Sequence, residues 1–221
     1  MSNPSEVRVT DAGKAPVASY GWKSDYGVLA AMVITIPVGV GFLVYGGVFG
    51  PLSDAGALLV GLLLAPLVWS IYLLYGDFDR NGAVFGIGVA TVAGICLGSL
   101  GLVAMNLLSI PSETYGGTLL GVQFLGWILL GFWLLGVGLL GRRIDAMSTR
   151  TVWTTIIAGI GTAGGMVTLI YSYAVGSFTL LFPLFMLVFT VGFLLWAFWL
   201  GGDLRAKERH YSTTSQRGDS T

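Results

Sequence analysis

Residues 152–200 read VWTTIIAGIGTAGGMVTLIYSYAVGSFTLLFPLFMLVFTVGFLLWAFWL, and no Asp, Glu, Lys, Arg or His occurs between Arg150 and Asp203. One helix of about 50 residues would rise about 75 Å, whereas a bilayer core is about 30 Å thick and needs about 20 residues. The stretch therefore has to cross, turn and cross again. The small residues VGS at 175–177 place the turn, giving spans at 152–173 and 178–200.

Four more charge-free apolar runs precede this pair, at 27–47, 55–75, 83–108 and 117–141. They are separated by GVFGPLSD, GDFDRN, SIPSETYG and, before the last pair, GRRIDAMSTR. All are too long for barrel strands, and none alternates polar with apolar as such strands do. The expected fold is an all-α, polytopic integral membrane protein, a bundle of six transmembrane helices at 27–200. It is flanked by a polar N-terminal tail at 1–26 and a polar C-terminal tail at 201–221, expected to be disordered because its last dozen residues lack an apolar face. The polar start has no early apolar region of the signal-peptide kind, so the first run is read as a retained span.

Composition points to the same solvent. Hydrophobic residues make up 55% of the 221 and charged ones only 10%, with a mean hydropathy of +0.83. The net charge is zero, which implies no nucleic-acid partner. The eleven basic residues are segregated: Arg8, Lys14 and Lys23 precede the first run, Arg80 follows the second, Arg142, Arg143 and Arg150 follow the fourth, and Arg205, Lys207, Arg209 and Arg217 follow the sixth. Six spans put all of these on one side, and loops rich in Lys and Arg stay in the cytoplasm. Both termini are thus expected inside a multi-pass protein of the cell membrane. Trp22, Trp153 and Trp199 fall at the inner boundary and Tyr45, Tyr115, Tyr171 and Tyr173 at the outer one, the headgroup depth that such rings favour.

Thirty-four glycines are present, most of them within the runs. In lipid, small residues let helix backbones approach closely. Gly82, Gly86, Ala90, Gly94 and Gly98 recur at intervals of four, which marks the third span as the expected central helix. The stripe fits packing within one chain, and it also fits the face of a homo-oligomer or of another membrane-protein partner.

No ionisable residue lies in the body of any run, which argues against a proton-coupled pump, since buried charges mark such relays. His210, the sole histidine, lies in the C-terminal tail, so no intramembrane imidazole pair can hold a haem and no Ser-His protease can form. One cysteine, Cys96, excludes an internal disulfide or thiolate cluster. Neither a catalytic constellation nor a cofactor or metal site is expected. Hydroxyls within the runs are expected to bond back to carbonyls one turn earlier. Asn106 and Gln123 differ, because an amide seeks an interhelical partner. They are expected to face each other or a shared outer cavity with Glu113 at its rim, either as interhelical contacts or as part of a ligand site. Arg142, Arg143, Arg150, Arg205, Lys207 and Arg209 form a basic cluster at the cytoplasmic surface, where anionic headgroups attract such residues.

From the fourth run onward, GFWLLGVGLLGRR at 131–143, GIGTAGG at 159–165 and FPLFMLVFTVGFLLWAFWLGGDLR at 182–205 resemble a family of uncharacterised six-span prokaryotic membrane proteins. The resemblance covers about the second half of the chain and implies a fold but no activity. Eight Asp against three Glu and eight Arg against three Lys resemble the usage of a GC-rich, haloarchaeal type of prokaryote. Two functions are expected ahead of an enzyme: a non-enzymatic structural or accessory membrane component, and a passive channel or facilitator for a small neutral or apolar solute. A continuous polar groove would favour the second; glycine faces left unpaired in the monomer would favour the first.

Overall fold

The computed structural model describes residues 11–45, 49–75, 78–145, 147–177 and 181–218. The predicted run ends at 47 and 178, Arg8 and Thr179 lie outside these residues. All regular structure among the described residues is helical: α1 (Asp11–Tyr45), α2 (Phe49–Tyr75), α3 (Phe78–Leu107), α4 (Ser112–Arg143), α5 (Thr149–Val175) and α6 (Leu181–Gly218). Five of them, α2 to α6, are long and apolar enough to cross a membrane.

The turn placed at VGS is a helix stop. Gly176 caps α5 in the left-handed region at φ 70°, its N–H donating to the Ser172 carbonyl, a conformation that costs glycine little and other residues more. At the opposite end of α5, Ser148 caps the helix by accepting from the Thr151 N–H at 3.3 Å. Its own N–H donates to the Asp203 carboxylate at 2.9 Å and ties the α4–α5 connection to α6.

Each helix packs mainly on its neighbours in sequence, and α1 packs on α6, so the six close into a ring. The third helix is therefore not central: α3 lies between α2 and α4 like any other member. Its small-residue stripe is divided. Gly94 and Gly98 face α4, where an added Cβ would lie 2.8 Å from the Gly126 Cα and 2.7 Å from the Gln123 Cα, whereas Gly82 and Gly86 have no described atom within 4 Å and Ala90 is exposed. A period of four drifts around a helix of 3.6 residues per turn, so one stripe cannot keep to one seam for five repeats.

The helices are apolar outside as well as inside. Leu62, Leu97, Leu125, Phe132 and Leu187 point outward, each more than half exposed, a surface suited to lipid rather than water. Inside the ring, the half nearer the termini is filled by Val28, Leu64, Leu67, Trp133, Leu134, Phe193, Trp196, Leu200 and Leu204, none more than 1% exposed.

The helices at this end outrun their apolar segments, which corrects the expectation of a disordered C-terminal tail. α6 continues to Gly218 and α1 begins at Asp11 because the two extensions pack on each other. The Trp22 indole donates to Glu208 at 2.6 Å, the Arg205 guanidinium lies 5.6 Å from the Trp22 ring centroid and the Lys14 ammonium 5.6 Å from that of Tyr211. Leu204, among the polar residues, is fully buried.

Candidate functional site: a cavity in the far half of the ring

The half of the ring remote from the termini is hollow. A cavity of about 530 Å³ is lined by residues from all six helices, within the usual 300–1,000 Å³ of small-molecule sites. Its walls are mostly apolar, with Met32, Phe124, Trp127, Met166, Phe182 and Phe189 among them.

The floor continues into an aromatic column. Trp127 meets Phe189 edge-on at 6.3 Å between centroids, Phe189 meets Phe193 at 5.6 Å, Phe193 meets Trp196 at 4.9 Å and Trp196 meets Trp133 at 6.4 Å, nearly perpendicular. Edge-to-face geometries at these spacings are the favourable ones for aromatic pairs. Trp127 and Trp133 are both buried in helix contacts, and Trp127 also floors the cavity.

One side of the cavity is polar. Gln123 on α4 uses its amide nitrogen twice, donating to Ser99 on α3 at 2.8 Å and to the Asp54 carboxylate on α2 at 3.2 Å. The reach across α3 and α4 depends on Gly98, whose missing side chain lets the Gln123 backbone lie against it. Asp54, Gln123, Thr35 and Ser53 all line the cavity. Thr35 is turned to its own helix, donating to the Ala31 carbonyl at 2.7 Å, as the hydroxyls of Thr91, Thr162 and Thr168 also do one turn back.

The two amides are not brought together. Asn106 is exposed and donates to the Leu102 carbonyl of its own helix at 2.9 Å, so a short side chain found its partner within the turn below. Glu113 is exposed in the first turn of α4, one turn before Gly116 and Gly117, which line the cavity. Gln123 alone of the three reaches the cavity, and its partners are Asp54 and Ser99.

Asp54 was legible as more than a loop residue. Gly50-Pro51 is a helix start, because proline is tolerated in a first turn, and that places Asp54 inside α2. A second acid is drawn into the bundle at the opposite end. Asp25, just before the first apolar run, is fully buried. Its carboxylate packs beside Gly201, and neither oxygen has a hydrogen-bond partner among the described residues. Burial pushes this carboxyl well above the usual range, and the neighbouring Gly201 backbone only partly offsets it.

The basic cluster lies at this terminal end, across the ring from the cavity. Arg142 sits over Trp153 at 5.5 Å, Arg150 over Trp199 at 5.1 Å and Lys207 over Tyr75 at 4.8 Å, while Arg143 and Arg209 are exposed. Such pairs contribute about 0.5–1 kcal/mol each at exposed sites. Among the described residues no group of three His, Cys, Asp or Glu could hold a metal ion.

Fold and cavity define a helical membrane protein whose ring surrounds an open chamber in the half remote from the termini. Comparison with protein-family models, with curated proteins and with solved structures gives no match.

Proposed function

We propose that this is a six-span protein with both termini in the cytoplasm, and that it binds a small, largely apolar solute entering the chamber from the outer face, as a facilitator rather than an enzyme. The carrying observation is the cavity itself: six helices each give up packing to leave about 530 Å³ open, although a filled core is the more stable arrangement. The aromatic column beneath it makes the chamber blind, so passage requires that column to shift. Orientation rests on the eleven basic residues.

Gly117 provides the test. It lines the cavity and has no described atom within 4 Å of the position a Cβ would take, so Gly117→Phe can fill the space without a clash against the described backbone. Ligands raise the melting temperature by mass action, about 2.7 kcal/mol at 100 times Kd. A panel of small apolar solutes should contain members that stabilise the wild type and leave Gly117→Phe unmoved. A panel with no stabilising member, or equal stabilisation of both proteins, contradicts the reading.

A second reading, an accessory component that docks on a partner or a second copy, draws on the outward-facing Gly82 and Gly86, which no described residue covers. Bulky substitution there, Gly86→Leu, should dissociate a complex isolated in mild detergent; an unchanged complex size removes this reading.

A further inference from the structure

We propose that the solute is an organic cation, an amine or quaternary ammonium with an apolar body, and that Asp54 is its counter-charge. The inference rests on the cavity being a ligand site and adds the chemical class of the ligand.

Asp54 is the one ionisable side chain among the described residues lining the cavity; no described Lys, Arg or His is among them. The described basic cluster lies at the other end of the ring. The partner the chain does supply is neutral. Gln123 donates to the Oδ1 atom of Asp54, which orients the carboxylate without cancelling its charge. Gln123 is itself held by Ser99, and its side chain is only 6% exposed, so the carboxylate is aimed by a buried, hydrogen-bonded support on two neighbouring helices. No described residue bonds Oδ2.

An uncompensated carboxylate facing an apolar chamber is costly, and ionisable groups placed so in membrane proteins serve function by default. The complementary ligand carries one positive charge. The rest of the wall fixes the rest of the molecule: Trp127, Phe124, Phe182 and Phe189 offer ring faces that attract a desolvated ammonium and apolar area for its substituents. A hard metal ion is the wrong occupant, because it takes six or more oxygen ligands and the chamber offers one carboxylate.

Trimethylphenylammonium and tert-butylbenzene have one shape and differ in a single charge. Binding of each is measured by thermal shift on the full chain in lipid nanodiscs, for the wild type, for Asp54→Asn and for Ser53→Lys, which places an ammonium beside Asp54. The expected result is that the cation binds the wild type at least about tenfold more tightly than the neutral isostere, a difference of about 1.4 kcal/mol. Both variants should lose that preference while tert-butylbenzene binding persists. The wild-type preference needs no variant, so a failure of Asp54→Asn to fold leaves the test intact. Equal binding of the two probes by the wild type overturns the cation assignment and leaves the cavity reading standing. If neither probe binds, both fall. Displacement of the cation by sodium or potassium at equal concentration assigns the site to an inorganic monovalent ion and also overturns the proposal.

Discussion

Gly98→Ala should destabilise the protein and open the polar side of the chamber, whereas the same substitution at Gly86 should stabilise it. At Gly98 the added Cβ would lie 2.5 Å from the Gln123 nitrogen and 2.7 Å from its Cα, against about 3.4 Å for ordinary contact. The obstruction is backbone, so no rotamer change relieves it, and α3 and α4 must part by about 1 Å. A gap of that size forfeits up to about half of the dispersion well at the flanking contacts, and overpacking of this kind costs about 1–3 kcal/mol. Replacing a helical glycine by alanine returns about 0.5–1 kcal/mol, leaving a net loss of up to about 2.5 kcal/mol, centred on about 1.2 kcal/mol. That centre corresponds to a melting temperature lower by about 2–5 °C for a chain of this size. Gly86 has no described atom within 4 Å, so Gly86→Ala retains only the propensity gain and should melt about 1–4 °C higher. Thermal unfolding of both variants in one detergent checks the pair. A neutral or stabilising Gly98→Ala would refute the close α3–α4 approach, and a destabilising Gly86→Ala would refute its outward placement.

Three more outcomes follow from particular side chains. Gln123→Leu leaves the half-buried Asp54 without its donor and should lower stability by about 1–3 kcal/mol, while Asn106→Leu, whose bond is local and exposed, should stay within about 0.5 kcal/mol of the wild type; equal effects would undo the contrast between the two amides. Asp25 holds its proton more tightly folded than unfolded, so the folded chain carries the extra proton above about pH 4 and stability falls as pH rises from there until the folded group ionises. Asp25→Asn should flatten that part of the denaturation profile and raise stability at pH 8; a parallel profile would show that the carboxyl is not buried in solution. Trp22→Phe keeps the ring but loses the indole donor to Glu208, and should free the α6 extension, read as faster hydrogen exchange at residues 205–213 with the core exchange unchanged; equal exchange throughout would contradict the α1–α6 contact.

Much of the architecture was legible because lipid leaves few choices. A charge-free stretch from Thr151 to Gly202 can only be a pair of spans, and VGS can only be where it turns, as the left-handed Gly176 shows. Hydroxyl positions were equally readable, since a Ser or Thr within a helix finds the carbonyl below it. Periodicity failed where the answer depended on three dimensions. Glycines at intervals of four mark small surface, but not whether a neighbour covers it, and in a ring no helix is central. Counting charges along the sequence placed Asp54 and Asp25 outside the apolar runs, yet helices extend past those runs at both ends and carry the acids inside. The polar C-terminal tail read as disordered because its apolar contact, Leu204, is a single residue without a period. The Gln123–Asp54 bond joins positions 69 residues apart, a pairing that no local pattern encodes.

The central claim, a chamber open to the outside of a protein whose basic end lies within, is tested most directly by cysteine accessibility. With Cys96, the sole cysteine, replaced by alanine, Ser53→Cys places a thiol on the cavity wall and Arg143→Cys places one at the opposite, basic end. A membrane-impermeant maleimide added to intact cells should label the first and spare the second until the membrane is opened. Labelling of Arg143→Cys in intact cells, with Ser53→Cys protected, would contradict the orientation and the outward-facing chamber together.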